Sequence, residues 1–177
     1  MATLLGISGA LRKNSNNTKL IHEAARLFEP DEFIEADIHF PLYDGDLEDS
    51  DGIPAAVKKL HSQILNADAV IIATPEYNKN ISGVLKNALD WLSREKPQPW
   101  AGKLVAILSA SSGRSGGERA QYALRHCMTP FNPHILQGPE VLIAAAGSAF
   151  DDNGRLINEH SVKSLGKLMD ALRIKIV

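Results

Sequence analysis

The run Ala69-Val70-Ile71-Ile72-Ala73, followed at once by Thr74-Pro75-Glu76-Tyr77-Asn78, constrains this chain more than any other segment. A short apolar run rich in β-branched side chains makes a strand buried on both faces. Such a strand belongs to a parallel sheet covered by helices above and below. Polar, conformationally special residues then replace it. A helix begins at Gly83-Val84-Leu85-Lys86-Asn87-Ala88-Leu89-Asp90-Trp91. Strand, polar loop and helix N-terminus in that order place a ligand site at the carboxyl edge of the sheet.

Strand and helix patterns alternate along the rest of the chain. Thr3–Ile7 is a first strand, and Thr18–Phe28 a helix with Leu20, Ala24, Leu27 and Ile21, Ala25, Phe28 at helical spacing. Glu32–Ile38 is a second strand whose charges place it near an edge. A loop with Pro41, Tyr43 and several acids leads to a helix from about Ile53, with Val57, Leu60 and Ile64 on its face. Asp68–Thr74 is the third strand and Gly83–Arg94 its helix; Lys103–Ser109 is the fourth, followed by glycine-rich Ser111–Gly117 and a helix from about Glu118 to Met128. Pro139–Ala144 supplies a fifth strand and Ser161–Leu172 a closing helix, while the prolines of Thr129–Gly138 leave that stretch without a clear element. Five β/α units imply right-handed crossovers and helices on both faces. The expected architecture is α/β: one flavodoxin-like, doubly wound, five-stranded parallel sheet of order 2-1-3-4-5 over residues 1–177.

Composition narrows the function classes. The 177 residues are enough for one domain with a substantial core. A net charge of −2 and a pI near 6.3 give no electrostatic case for nucleic acid or membrane binding. The single cysteine, Cys127, excludes an internal disulfide framework and fits a reducing compartment. Leu4-Leu5-Gly6-Ile7 follows no basic residue and ends at Ser8, which makes it a strand and not a signal peptide. No apolar run is long enough to span a bilayer. A cytoplasmic location is expected.

The loops after strands one, three and four meet at the carboxyl edge of such a sheet. Loop one, Ser8-Gly9-Ala10-Leu11-Arg12-Lys13-Asn14-Ser15-Asn16-Asn17, opens a helix. Hydroxyls, amides, free N–H groups at a helix N-terminus and a fixed cation are what a phosphate requires. Asn14–Asn17 could instead serve only as helix caps, but the loop is longer and more polar than capping demands. No Gly-Lys-Ser/Thr follows and the Gly-x-Gly-x-x-Gly spacing is absent, so neither a Walker loop nor a dinucleotide fingerprint is present. A flat phosphomonoester cofactor such as FMN fits better than ATP or NAD. In the second loop Pro75 fixes the backbone direction, and the N–H and C=O groups beyond it could read the edge of a flavin. The third loop, Ser109-Ala110-Ser111-Ser112-Gly113-Arg114-Ser115-Gly116-Gly117, is either a donor-rich wall or a solvated turn.

These three segments resemble the NADPH-dependent FMN reductase family, which includes quinone, azo and chromate reductases. Its first loop reads Gly-Ser-Leu-Arg-x-x-Ser-x-Asn, matched here by Gly9, Leu11, Arg12, Ser15 and Asn17, with Ala10 in place of the serine. One lost neutral hydroxyl contact costs ~0.5–1.5 kcal/mol, which weakens FMN binding without abolishing it. The family commonly has proline before the glycine of the second motif, where this chain has Ser82. Its third loop is similar at Gly113, Gly116, Gly117, Arg119 and Ala120. The resemblance runs from Leu5 to about Leu124. It implies that Gly9, Ala10, Arg12, Ser15 and Asn17 hold the FMN phosphate. Pro75, Glu76, Tyr77 and Asn78 would run along the ring, and Ser109, Ser111 and Gly113 would line its pyrimidine end.

The function implied is an FMN-dependent NAD(P)H oxidoreductase that passes hydride from NADPH or NADH to FMN. The electrons then go to a quinone, azo compound or similar small acceptor in a ping-pong cycle, with no general acid or base demanded of the protein. Two other readings stay open: a flavodoxin-type electron carrier without direct NADPH oxidation, and a binding module that has lost the flavin. The helix after the third strand carries two apolar stripes: Leu85, Leu89, Leu92 and Val84, Ala88, Trp91. They suit either a wide core-facing surface or a second subunit, and family members commonly form dimers or dimer pairs, so a homodimer or homotetramer is expected. The six histidines show no metal-ligand spacing, and the acids Asp44, Asp46, Glu48, Asp49 and Asp51 do not match a calcium loop. Cys127 falls on an apolar helix face, and no Gly-x-Ser-x-Gly elbow occurs. No metal is expected.

Overall fold

The computed structural model describes residues 1–176. Six strands form one parallel sheet: β1 (Thr3–Ser8), β2 (Glu32–Ala36), β3 (Ala69–Thr74), β4 (Leu104–Ala110), β5 (His134–Ile135) and β6 (Val141–Ile143). The order is β2-β1-β3-β4-β5, with β6 also on β4. The fifth position of the flavodoxin-like sheet is therefore filled by two short segments. β5 pairs with Leu104 and Val105, and β6 with Leu108 to Ala110. Pro139 lies between them, and a residue without an N–H cannot continue a ladder. The expected strand over Pro139–Ala144 is thus shortened to β6, and the proline-rich stretch before it supplies β5 and a 3-10 turn at Thr129–Phe131.

Strand alternation divides the core into two layers. Leu5, Ile7, Val70, Ile72, Val105 and Ile107 point to one side. There they meet α3 (Ala55–Asn66), α4 (Gly83–Leu92) and α5 (Glu118–Met128). Leu4, Ala69, Ile71, Ala106 and Leu108 point to the other side, toward α1 (Asn16–Phe28) and α6 (Glu159–Ile174). Every residue of β3 is buried, as its unbroken apolar run requires. Each fully buried Leu, Ile or Val in these layers contributes about 1.5–3 kcal/mol of transfer free energy. Among the described residues no helix is long and apolar enough to cross a membrane.

The acidic loop contains an element not foreseen from the sequence. Gly45–Asp51 forms a short helix, α2, capped by the Asp44 side chain, which accepts from the Asp46 N–H at 3.0 Å. Asp46 and Glu48 in its first turn favour the positive end of the helix dipole. None of its residues is buried, so no apolar periodicity announces it. Glu48 ties it down, accepting from Tyr43 Oη at 3.0 Å and from Arg94 Nε at 2.9 Å.

The strap before α2 also accounts for the broad apolar surface of α4. Trp91 Nε1 and Asn87 Nδ2 both donate to the Pro41 carbonyl, at 2.8 and 2.9 Å. Tyr43 meets the Trp91 ring edge-on, with centroids 5.0 Å apart. Ala88 and Trp91 of the second stripe are buried inside their own chain. The width of that stripe therefore needs no second subunit.

Candidate functional site

The loops after β1, β3 and β4 take their strands' numbers, so the Pro75 segment is loop three and Ser109–Gly117 loop four. Loops one, three and four converge at the carboxyl edge, and buried polar contacts fix their mutual positions. The Gly9 N–H donates to the Ala73 carbonyl at 2.8 Å. A Cβ at Gly9 would stand 3.0 Å from Pro75 Cδ and 3.2 Å from Leu85 Cδ2, so loop one passes too close to loop three for a larger residue to fit easily. The Gly9 carbonyl accepts from Ser82 Oγ, which also caps α4 by accepting from the Leu85 N–H at 3.3 Å. Ser82 is 1% exposed, so both bonds lie away from water. Its hydroxyl thus joins two loops through a contact that proline cannot make.

Asn17 supplies the corresponding link to loop four. Its Nδ2 donates to the Ala110 carbonyl at 3.0 Å, and its Oδ1 accepts from the Ala110 N–H at 2.9 Å. Ser109, beneath the same loop, donates to the Gly116 carbonyl at 2.6 Å and accepts from Gln121 Nε2 at 2.9 Å. Gly116 and Gly117 have φ values of 63° and 93°. A Cβ on either would come within 2.7 Å of its nearest atom, in Leu142 and Ser109 respectively. These two glycines are required by both conformation and space. Gly113 is different, since its Cβ would meet only Ser111 Oγ, at 3.8 Å.

Between the loops lies a cavity of about 230 Å³. Of the residues expected at a site, Ala10, Arg12, Ser15, Asn17, Pro75, Glu76, Tyr77 and Ser111 line it. Gly9, Asn78, Ser109 and Gly113 do not: Gly9 and Ser109 are packed behind it, and Asn78 sits at the tip of a turn. Ser15 caps α1, accepting from the Asn17 N–H at 3.1 Å and the Thr18 N–H at 3.4 Å. Its own hydroxyl proton remains for a ligand, at the positive end of a 13-residue helix. Arg12 enters no ion pair among the described residues, leaving its guanidinium for an anion.

Loop three turns sharply beyond Pro75. The Tyr77 N–H donates to the Asn80 carbonyl at 3.0 Å, and the Asn80 N–H returns to the Tyr77 carbonyl at 3.1 Å. Asn78 and Lys79 have φ values of 50° and 67° at the tip, the primed geometry of a tight hairpin. Tyr77 is held with its side chain half exposed at the cavity mouth. Glu76 reaches the first turn of α5, where its Oε2 accepts from the Ala120 N–H at 3.4 Å.

Ala146, which follows β6, completes the wall and was not anticipated. The Ala145 and Ala146 N–H groups donate to Gly113 and Ser111 carbonyls, at 3.3 and 3.0 Å, and so anchor loop four. The available signal was the run Ala144-Ala145-Ala146-Gly147, small residues leaving a strand at the edge where the loops meet. A larger cavity of about 590 Å³, between β5 and the end of α6, shares no residue with this site.

The model of a family described as NADPH-dependent FMN reductase matches residues 2–148, a span that contains all three loops. This chain belongs to that family. Within it, the chain is 46% identical over 173 residues to an NAD(P)H-dependent FMN reductase of Pseudomonas aeruginosa, covering 97% of this chain and 93% of the relative. It is 38% identical over 171 residues to a quinone reductase of Escherichia coli K12, covering 93% and 88%. Among solved structures it resembles the flavoenzyme NAD(P)H:(acceptor) oxidoreductase FerB from Paracoccus denitrificans. That match has a TM-score of 0.88 at 33% identity over 99% of this chain and 97% of the other. The family uses FMN with NAD(P)H as electron donor.

Proposed function

We propose that this protein is a single-domain FMN-dependent oxidoreductase that takes hydride from NAD(P)H and delivers electrons to a quinone, azo compound or similar small acceptor. The observation that carries this reading is the cavity itself: a capped helix N-terminus and Arg12, in no ion pair among the described residues, line it, and Pro75–Tyr77 flank its mouth. Its 230 Å³ is smaller than the roughly 300–1,000 Å³ of a complete small-molecule pocket. It suits the phosphate end of FMN, with the flat ring in the open continuation beside Tyr77.

In this reading Arg12 pairs with the phosphate, and Ser15 Oγ and the first N–H groups of α1 donate to it. Asn17, Ser82 and Ser109 act behind them, as positioning residues that hold the three loops in register. Pro75, Glu76 and Tyr77 fix the plane against which the ring rests. When bound, FMN supplies the hydride-accepting and electron-donating chemistry. The protein's part is to bind, orient and leave one ring face open, so that donor and acceptor occupy the same place in turn. No side chain in the cavity is required to move a proton.

Shared occupancy implies ping-pong kinetics. Initial rates with a quinone varied at several fixed NAD(P)H concentrations should give parallel double-reciprocal lines, whereas intersecting lines would contradict a common place for both substrates. The expected homodimer or homotetramer is retained as a proposal on family grounds alone, and a monomeric mass in light scattering at micromolar concentration would refute it. A cytoplasmic location is proposed on the same grounds, with the lone half-buried thiol of Cys127 consistent with it.

A further inference from the structure

Beside the phosphate loop lies a second cavity, of about 370 Å³. Ala10 and Arg12 line both hollows, so the two meet across one arginine. The other walls include Lys13 and Thr18 on one side and Glu35 and Asp37, at the carboxyl end of β2, on the other. Both signs of charge therefore face the same space. Neither Arg12 nor Lys13 enters an ion pair among the described residues. Glu35 is engaged by His22 Nε2 at 2.6 Å. Asp37 is in no ion pair among the described residues; its Oδ1 accepts from the His39 N–H at 2.8 Å, which orients the carboxylate and leaves Oδ2 for a ligand.

We infer that this cavity takes the adenylate half of the reduced dinucleotide, with Arg12 and Lys13 against its diphosphate and Asp37 accepting from the hydroxyls of the adenosine ribose. The inference rests on the reductase reading above. With FMN in the first cavity and nicotinamide on the flavin, the rest of the donor needs cations for its diphosphate. It also needs acceptors for a diol, and the adjoining hollow offers both. Dinucleotide-binding sheets with a glycine-rich fingerprint use a carboxylate to accept from the ribose 2′-hydroxyl; this chain lacks that fingerprint, and Asp37 supplies the same acceptor chemistry at the end of its second strand. A neutral 2′-hydroxyl donates to Asp37. A 2′-phosphate, carrying about −1.5 to −2 charges, meets the Asp37 carboxylate of like sign, Glu35 being engaged by His22. The cavity therefore selects NADH over NADPH.

The test uses FMN-loaded protein, in which Ser15 and the first N–H groups of α1 are already occupied by the FMN phosphate, titrated calorimetrically with 5′-AMP and with 2′,5′-ADP. The parent should bind 5′-AMP more tightly than 2′,5′-ADP by about fivefold or more, the factor that one like-charge contact near 4 Å produces in water. Asp37→Asn keeps the oxygen that accepts from His39 and removes the charge, so it should bring the two affinities to near equality. Absence of 5′-AMP binding, tighter binding of 2′,5′-ADP by the parent, or an unchanged ratio in Asp37→Asn would overturn the assignment. These titrations need no turnover. A protein that binds 5′-AMP as expected but leaves its flavin oxidised by NADH rejects the reductase reading alone, and the reverse result rejects the adenylate site alone.

Discussion

Replacing Asn17 with alanine tests how the site is held together. Asn17 is 3% exposed and makes two hydrogen bonds to the backbone of Ala110, itself 3% exposed. Each buried bond contributes ~0.5–1.5 kcal/mol net, and each Ala110 group left without a partner costs ~1–3 kcal/mol. Partial entry of water at the cavity reduces the second figure, so Asn17→Ala should lose about 2–4 kcal/mol. For a chain of 177 residues that corresponds to a fall in Tm of roughly 5–15 °C. Asn17→Asp should be similarly poor despite its matching shape, because it sets an oxygen against the Ala110 carbonyl. Urea unfolding of the FMN-free protein, followed by circular dichroism, measures both without interference from cofactor binding. A loss below about 0.5 kcal/mol, the size of an ordinary surface substitution, would show that the pair does not clamp loop one to β4.

Four further outcomes follow from the same geometry. Arg12→Ala should weaken FMN affinity more than it lowers kcat at saturating FMN, and equal affinity in mutant and parent would remove Arg12 from the phosphate site. Ala10→Ser should tighten FMN by about 2–10-fold, the return of one ~0.5–1.5 kcal/mol hydrogen bond, in a fluorescence titration. Gly117→Ala should destabilise by ~1–3 kcal/mol because of its positive φ and the 2.7 Å approach to Ser109, whereas Gly113→Ala should change little; equal losses in thermal melts would contradict this. Burial pushes the Lys103 ammonium below its usual pKa even though Asp68 draws it upward. The unfolded chain then holds that proton more tightly, so stability should rise with pH between the depressed folded value and the ordinary range near 10.5, a slope that Lys103→Met removes.

The sheet order and the meeting of three loops were legible because they follow from strong local signals. β3 is a continuous apolar run, and α1, α4 and α5 carry clear helical spacing ending at polar loops. The helix expected from about Glu118 to Met128 forms there as α5. What stayed hidden depends on contacts distant in sequence. α2 has no fully buried residue, and it is held by its Asp44 cap, by Leu47 packed on the core and by Arg94, 46 residues from Glu48. The split of the fifth strand reflects how Pro139 interrupts its pairing with β4.

The site shows the same division. The polar residues at the start of α1 pointed to a phosphate through their chemistry, and Arg12 and Ser15 do line the cavity. Spacing could not reveal that the amide of Asn17 and the hydroxyl of Ser109 are turned inward to backbone partners. Nor could it show that Ser82 makes a bond across 73 residues to Gly9. The second apolar stripe of α4 was open to two explanations, and only the strap through Pro41 and Tyr43 distinguishes them.

The most direct test of the central claim is anaerobic addition of NADH or NADPH to FMN-reconstituted protein while the absorption band of oxidised flavin is followed. Rapid bleaching, reversed by adding a quinone, is the expected result. Flavin that binds at the loop site but stays yellow with both donors would contradict the reductase and leave a carrier, and failure to bind FMN would contradict the site itself.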